Sequence, residues 1–104
     1  MIIREERESD HKAISDVTEA AFKNHPYGSG TEQFIVKALR EGGSLSVSLV
    51  AELEGSVVGH IAFSPVKFSD GSEGWYGLGP VSVEPGYQGL GIGTELVNSG
   101  LKIL

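Results

Sequence analysis

The chain has no cysteine among its 104 residues. That removes disulfides, thiolate metal sites and a cysteine nucleophile together. Positive charge is scarce: 8 Lys and Arg stand against 14 Asp and Glu, for a formal net charge of −6. Such a balance opposes non-specific binding to nucleic acid or to an anionic membrane. It does not oppose a phosphate held by backbone N–H groups, because those are local dipoles. No apolar run approaches the length of a membrane span. The N-terminus, MIIREERESD, lacks the basic-then-apolar pattern of a signal peptide. No internal repeat, low-complexity tract or linker interrupts the sequence. These absences point to a cytoplasmic protein with neither nucleic acid nor membrane as partner. What remains is ordinary for a globular domain, 39% hydrophobic and 21% charged. The length allows a single domain over 1–104 with a modest core.

Along the chain the apolar periodicity changes from helical to extended. Met1 to Glu6 reads as a short strand, and Ser9 or Asp10 can cap a following helix. Ile14, Val17 and Ala21, with Ala13 and Ala20 alongside, form one apolar face. Asn24-His25-Pro26-Tyr27-Gly28 stops that helix. Ser29-Gly30-Thr31-Glu32 has capping-box spacing for a second helix, whose stripe is Phe34, Ile35, Ala38 and Leu39 and whose end is Gly42-Gly43. Tyr27–Thr31 is either a connection or a loop that closes on a substrate.

Val47, Leu49, Ala51 and Leu53 then alternate with more polar residues, which is the period of a strand. Glu54-Gly55-Ser56 makes a tight turn into a strand over Val57–Val66. There Val57, Gly59, Ile61 and Phe63 take one face, and Val58, His60, Ala62, Ser64 and Val66 the other. Ser69-Asp70-Gly71-Ser72 carries a hairpin signal, and Trp75–Val83 returns as a strand. Gly79-Pro80 breaks that strand in the manner of a bulge. The three strands form an antiparallel meander, so the fold class is mixed α+β in the order β-α-α-β-β-β-α.

The last segment, Leu78–Leu104, is the most informative. A strand ends at Val83, turns at Glu84-Pro85-Gly86, and passes through a glycine-punctuated loop into a helix. A helix N-terminus presents N–H groups without internal partners at the positive end of its dipole, which suits an anion. Gly89, Gly91 and Gly93 keep side chains away, so phosphate can reach the backbone.

Gln88-Gly89-Leu90-Gly91-Ile92-Gly93 resembles the acetyl-CoA loop of the GNAT superfamily of N-acetyltransferases. Gln88, Gly91 and Gly93 match its pattern, Val81-Ser82-Val83 with Pro85 and Tyr87 matches its lead-in, and the order of elements agrees. A dinucleotide-binding reading fails, because the glycine spacing is wrong and an antiparallel meander precedes the loop. The resemblance implies acetyl-CoA as co-substrate, and the residues themselves offer no ligand spacing for a metal, so no metal is expected. Backbone groups of Val81 and Val83 would pair with its pantetheine arm, as an added strand pairs with an edge. N–H groups of Gly89, Leu90, Gly91, Ile92, Gly93 and Thr94 would hold the pyrophosphate. An N–H near Val81–Val83 would polarise the thioester carbonyl, and the acyl group would pass to an amine acceptor that loses a proton to a base. Glu84 and His60 are the candidate bases. Trp75 and Tyr76 are candidates to line an acceptor pocket. His11 and His25 have no metal-ligand spacing with nearby carboxylates.

The resemblance also implies a further strand, a helix and a terminal hairpin beyond Leu104, forming the other wall of the cleft and carrying the tyrosine that protonates the departing thiolate. Tyr27, Tyr76 and Tyr87 do not occupy that place. The expectation is therefore a partial domain, truncated after the helix of the cofactor loop, with an open edge at 75–83 and an incompletely covered last helix. Either surface would make the protein a homo-oligomer. A second functional class stays open: a CoA-binding or interaction module without turnover.

Overall fold

The computed structural model describes residues 1–23, 32–66, 71 and 75–104, with Val66 and Trp75 described by their backbone alone. The helix stop at 24–28, the capping box and loop at 27–31, His25 and the turn at 69–72 lie wholly or largely outside the described residues. So do the contacts of the Trp75 side chain.

Among the described residues seven main elements follow one another: β1 (Ile2–Glu5), α1 (His11–Phe22), α2 (Glu32–Glu41), β2 (Val47–Leu53), β3 (Ser56–Val66), β4 (Trp75–Val83) and α3 (Ile92–Ile103). Single 3-10 turns at Glu8–Asp10 and Pro85–Tyr87 lead into α1 and towards α3. The strands form one antiparallel sheet in the order β1-β2-β3-β4, as short connections between neighbours require. At the β2–β3 turn, Leu53 pairs with Ser56. Glu54 and Gly55 between them both have positive φ, 51° and 81°, which closes a two-residue hairpin.

The sheet carries an apolar layer on each face. Val47, Leu49, Ala51, Ile61 and Phe63 pack with Ile92 and Leu96 of α3. Val50 packs on the opposite face with Ile14 of α1 and Val36 of α2. Burial on both faces explains why β3 is apolar along both of its sides.

Two local expectations are corrected. The simple alternation of β3 breaks at its start. Ala51 pairs with Gly59 but Glu52 with Val57, so Val58 is an extra residue in the ladder. Val58 consequently joins the α3 layer and Val57 the α1–α2 layer. The second correction concerns α2, which buries Gln33 and Val36 and leaves Phe34 59% and Ile35 46% exposed. Its stripe is rotated away from the one read from apolar spacing, because Val36 is the side chain that meets Ile14 and Val50.

Helix ends behave more simply. Asp10 stands at the N-cap of α1, but its carboxylate accepts the Arg7 N–H at 2.7 Å and so closes the preceding turn. After α2, the Ser44 N–H donates to Leu39 and the Gly43 N–H to Arg40, with Gly43 at φ 71°. That is a Schellman ending, which favours glycine at this position. The bulge read at Gly79-Pro80 is present as a register shift: Ile61 pairs with Val81 but Phe63 with Leu78.

Candidate functional site

The loop between β4 and α3 is built from the strand outwards. The Glu84 N–H donates to Val58 at 2.8 Å, which marks residues 58 and 84 as a hydrogen-bonded pair. Antiparallel pairs alternate. Val83, opposite Gly59, and Val81, opposite Ile61, therefore turn their N–H and C=O groups away from β3. They face the outer side of β4, which is the last strand of the described sheet. One of these groups is already engaged: the Gln88 side-chain amide donates to the Val83 carbonyl at 3.0 Å. Gln88 thus ties the loop to the end of the strand, and the N–H of Val83 and both groups of Val81 remain directed outwards.

The loop then turns into α3 through left-handed backbone at Gly89 and Gly91, with φ of 82° and 83°. Gly91 is the N-cap of α3. Its carbonyl accepts the Glu95 N–H at 3.1 Å, so the N–H groups of Ile92, Gly93 and Thr94 have no carbonyl behind them in the helix. The three glycines serve different ends. Gly89 and Gly91 answer to backbone conformation, which an L side chain enters at a cost. A Cβ at Gly93 would lie 3.8 Å from the side chains of Val81 and Val83, an ordinary contact between helix and strand.

These parts enclose one cavity of about 270 Å³. Val83, Gln88, Gly89, Gly91, Ile92, Gly93 and Thr94 line it, as does Tyr87, to which sequence reading gave no binding role. Its signal was its place in the lead-in to the loop, directly before Gln88. Leu90 points elsewhere and is 70% exposed. Val81 contributes through the strand edge.

The two candidate bases are not part of this cavity. Glu84 lines a separate hollow of about 430 Å³, between α1 and the β2–β3 turn. There its neighbours include Asp16, Glu52 and the Arg4–Asp10 ion pair. His60 is wholly buried on the α1–α2 face. Its Nε2 lies 2.7 Å from Ser48 Oγ, and the Ser48 hydroxyl donates to Glu6. That hydroxyl has one proton, given to the carboxylate, so Nε2 must carry the proton shared with Ser48. Nδ1 is then a bare acceptor, and it is buried without a partner among the described residues. Burial holds the imidazole down at about 4, with the charge of Glu6 opposing and that of Arg40 assisting. A group so depressed is neutral and a poor base near neutrality.

Glu6 is the hub behind it. Burial alone would raise its carboxyl, but hydrogen bonds from Arg40 and Ser48 bring it below the ordinary value. Arg40 binds it through two nitrogens at 2.9 Å, and His11 approaches at 2.9 Å. Residues 6, 11, 40, 48 and 60 meet only through the fold, so no spacing in the sequence announces them. Tyr76 is 48% exposed on β4.

A strand edge, a glycine loop and a helix N-terminus in this order also occur in known proteins. The Acetyltransferase (GNAT) family matches residues 11–104. The chain belongs to the GNAT acetyltransferase family. A solved GNAT family acetyltransferase from Brucella melitensis, in complex with acetyl-CoA, is 53% identical with a TM-score of 0.94, covering 97% of this chain and 66% of that one. The Escherichia coli GNAT protein YhbS, solved in complex with CoA, is 36% identical with a TM-score of 0.85, covering 97% of this chain and 54% of that one. Among curated proteins, the uncharacterized N-acetyltransferase YhbS of Escherichia coli K12 is 37% identical over 105 residues. The alignment covers 100% of this chain and 60% of that relative, so this GNAT chain spans about three fifths of its length. No described helix is long and apolar enough to cross a membrane. Among the described residues no group of His, Cys, Asp and Glu could hold a metal ion.

Proposed function

We propose that this GNAT protein binds acetyl-CoA at the β4–α3 loop and transfers its acetyl group to a primary amine. The observation that carries the reading is the cavity at the N-terminus of α3, directly beside the outward edge of β4. Two GNAT relatives that contain acetyl-CoA or CoA support it. The N–H groups of Gly89 to Thr94 would hold the pyrophosphate, where the helix dipole adds to their pull. Val81 and Val83 would receive the pantetheine arm as an edge receives a strand. Because Gln88 already holds the Val83 carbonyl, that pairing would use the Val83 N–H and the two groups of Val81. An N–H of this stretch would also polarise the thioester carbonyl, and the amine nitrogen would attack the carbonyl carbon as the thiolate departs. Glu84 and His60 were the sequence candidates for the base. Neither lines the loop cavity, and the neutral, buried state of His60 speaks against its acting directly.

The reading extends to a cytoplasmic, self-associating protein, joined through 75–83 or the last helix. A second reading, a CoA-binding module without turnover, is favoured by one observation: no candidate base lines the loop cavity. Calorimetry with acetyl-CoA tests the site. Gly91→Glu and Gly93→Glu should each weaken binding roughly tenfold or more, by bringing a carboxylate to an anion site. Unchanged affinity in both would remove the loop from the reading. Release of CoA thiol in the presence of a panel of amines then separates the enzyme from the module.

A further inference from the structure

The fold leaves a further concave feature, on the opposite sheet face from α3. A groove of about 480 Å³ runs between α1 and α2. That is within the range that small-molecule sites occupy, roughly 300–1,000 Å³. Ile14 and Val36 close its floor, each only 1% exposed, and Phe34 forms a wall. Phe34 is 59% exposed, although apolar spacing had assigned it to the core. Covering such a ring removes apolar surface from water, which is favourable.

The rim is cationic on a protein of net charge −6: among the described residues Lys12, Lys37 and Arg40 face it, with Glu41 as the one carboxylate. Two of these cations are already engaged. Lys12 pairs with Asp16 at 2.9 Å, and the Arg40 guanidinium is held by Glu6 through two nitrogens. Lys37 has no ion pair among the described residues. One available ammonium beside an exposed aromatic wall suits a monoanion with an apolar body. A phosphate dianion would call for a free guanidinium fork or converging backbone donors, and Arg40 has spent its fork on Glu6.

We propose that the α1–α2 groove binds a small amphiphilic carboxylate. Its apolar body lies against Phe34 over the Ile14–Val36 floor, and its carboxylate meets Lys37. This site is independent of the β4–α3 loop, so it stands or falls without acetyl-CoA.

The test titrates the purified protein with sodium octanoate, followed by calorimetry and by backbone amide shifts, with 1-octylamine as the oppositely charged control. Saturable octanoate binding is expected, with shifts confined to residues of α1 and α2, and no binding of octylamine. Lys37→Glu should weaken octanoate roughly tenfold, since it replaces an attraction by a repulsion. Phe34→Ala should also weaken it. Both side chains are exposed, so both variants should keep the wild-type melting curve. The proposal is overturned if octanoate shows no saturation below its micelle-forming concentration. It is also overturned if Lys37→Glu binds octanoate unchanged, or if the shifts centre on residues 87–94.

Discussion

At the scale of single residues, His60 shows how position decides chemistry. Sequence placed it mid-strand as a candidate base, and the fold makes it a hydrogen-bonded core residue. It is wholly buried, donates towards Ser48 and titrates at about 4 instead of 6.5. Stability must then depend on pH. Above 6.5 the imidazole is neutral whether the chain is folded or not. Between 6.5 and about 4 the unfolded chain binds a proton that the folded chain refuses, so stability falls as pH falls. Below about 4 both states are protonated and the loss is complete. Integrated over that window the loss is about 3 kcal/mol. Urea unfolding at a series of pH values should show this slope in the wild type, and His60→Gln should flatten it between 6.5 and 4. Further loss below that window should persist in the variant, because Asp10, held at about 2 by Arg4, and Glu6, held down by Arg40 and Ser48, lose their contributions as pH falls through their folded values. An unaltered slope in His60→Gln would mean that another group carries the dependence.

At the scale of elements, α2 separates apolar character from burial. Phe34, Ile35, Ala38 and Leu39 make the more hydrophobic stripe, yet Val36 and Gln33 are the residues turned inwards. Val36→Ala should cost about 1–3 kcal/mol, through lost burial and the void left between Ile14 and Val50. Phe34→Ala should cost within about 0.5 kcal/mol, as exposed substitutions do. Denaturant midpoints for the two variants check the order, and the reverse order would restore the stripe read from spacing. The element order, the meander, the two-residue turn at Glu54-Gly55 and the Schellman ending at Gly43 were legible in the sequence because each rests on local backbone chemistry. The β4–α3 loop was legible for the same reason: its glycines, cap and strand are contiguous. Three things were not. The face of α2 depends on which side chain fits the space above Val50. The exchange of Val57 and Val58 depends on a bulge set by partner strands. The Glu6–Ser48–His60 network joins residues up to 54 positions apart in number, from 6 to 60, through sheet register alone.

At the scale of the whole molecule, two proposals meet at the outer edge of β4. Val81 and Val83 direct backbone groups away from the sheet, and Leu78 on the same strand is 49% exposed. Such an edge pairs readily with another chain unless something covers it. The same groups are those that the pantetheine arm would use, so edge-to-edge association and cofactor binding, as proposed, would exclude each other. By mass action, a ligand that binds only the free edge pulls the protein away from the paired form. Sedimentation of the protein alone at micromolar concentration should show a species heavier than the 11.0 kDa chain. Saturating acetyl-CoA should shift the distribution towards monomer, and Leu78→Lys should do so without ligand, since a lysine on an edge strand discourages pairing. A stable monomer in the absence of ligand would end the idea of self-association. An assembly that survives both acetyl-CoA and Leu78→Lys would move the contact from β4 to the exposed end of α3, where Leu101, Ile103 and Leu104 are 55%, 51% and 44% exposed. In that case cofactor binding and assembly would be free to occur together, because the N-terminus of α3 faces the loop cavity while these residues lie at its other end.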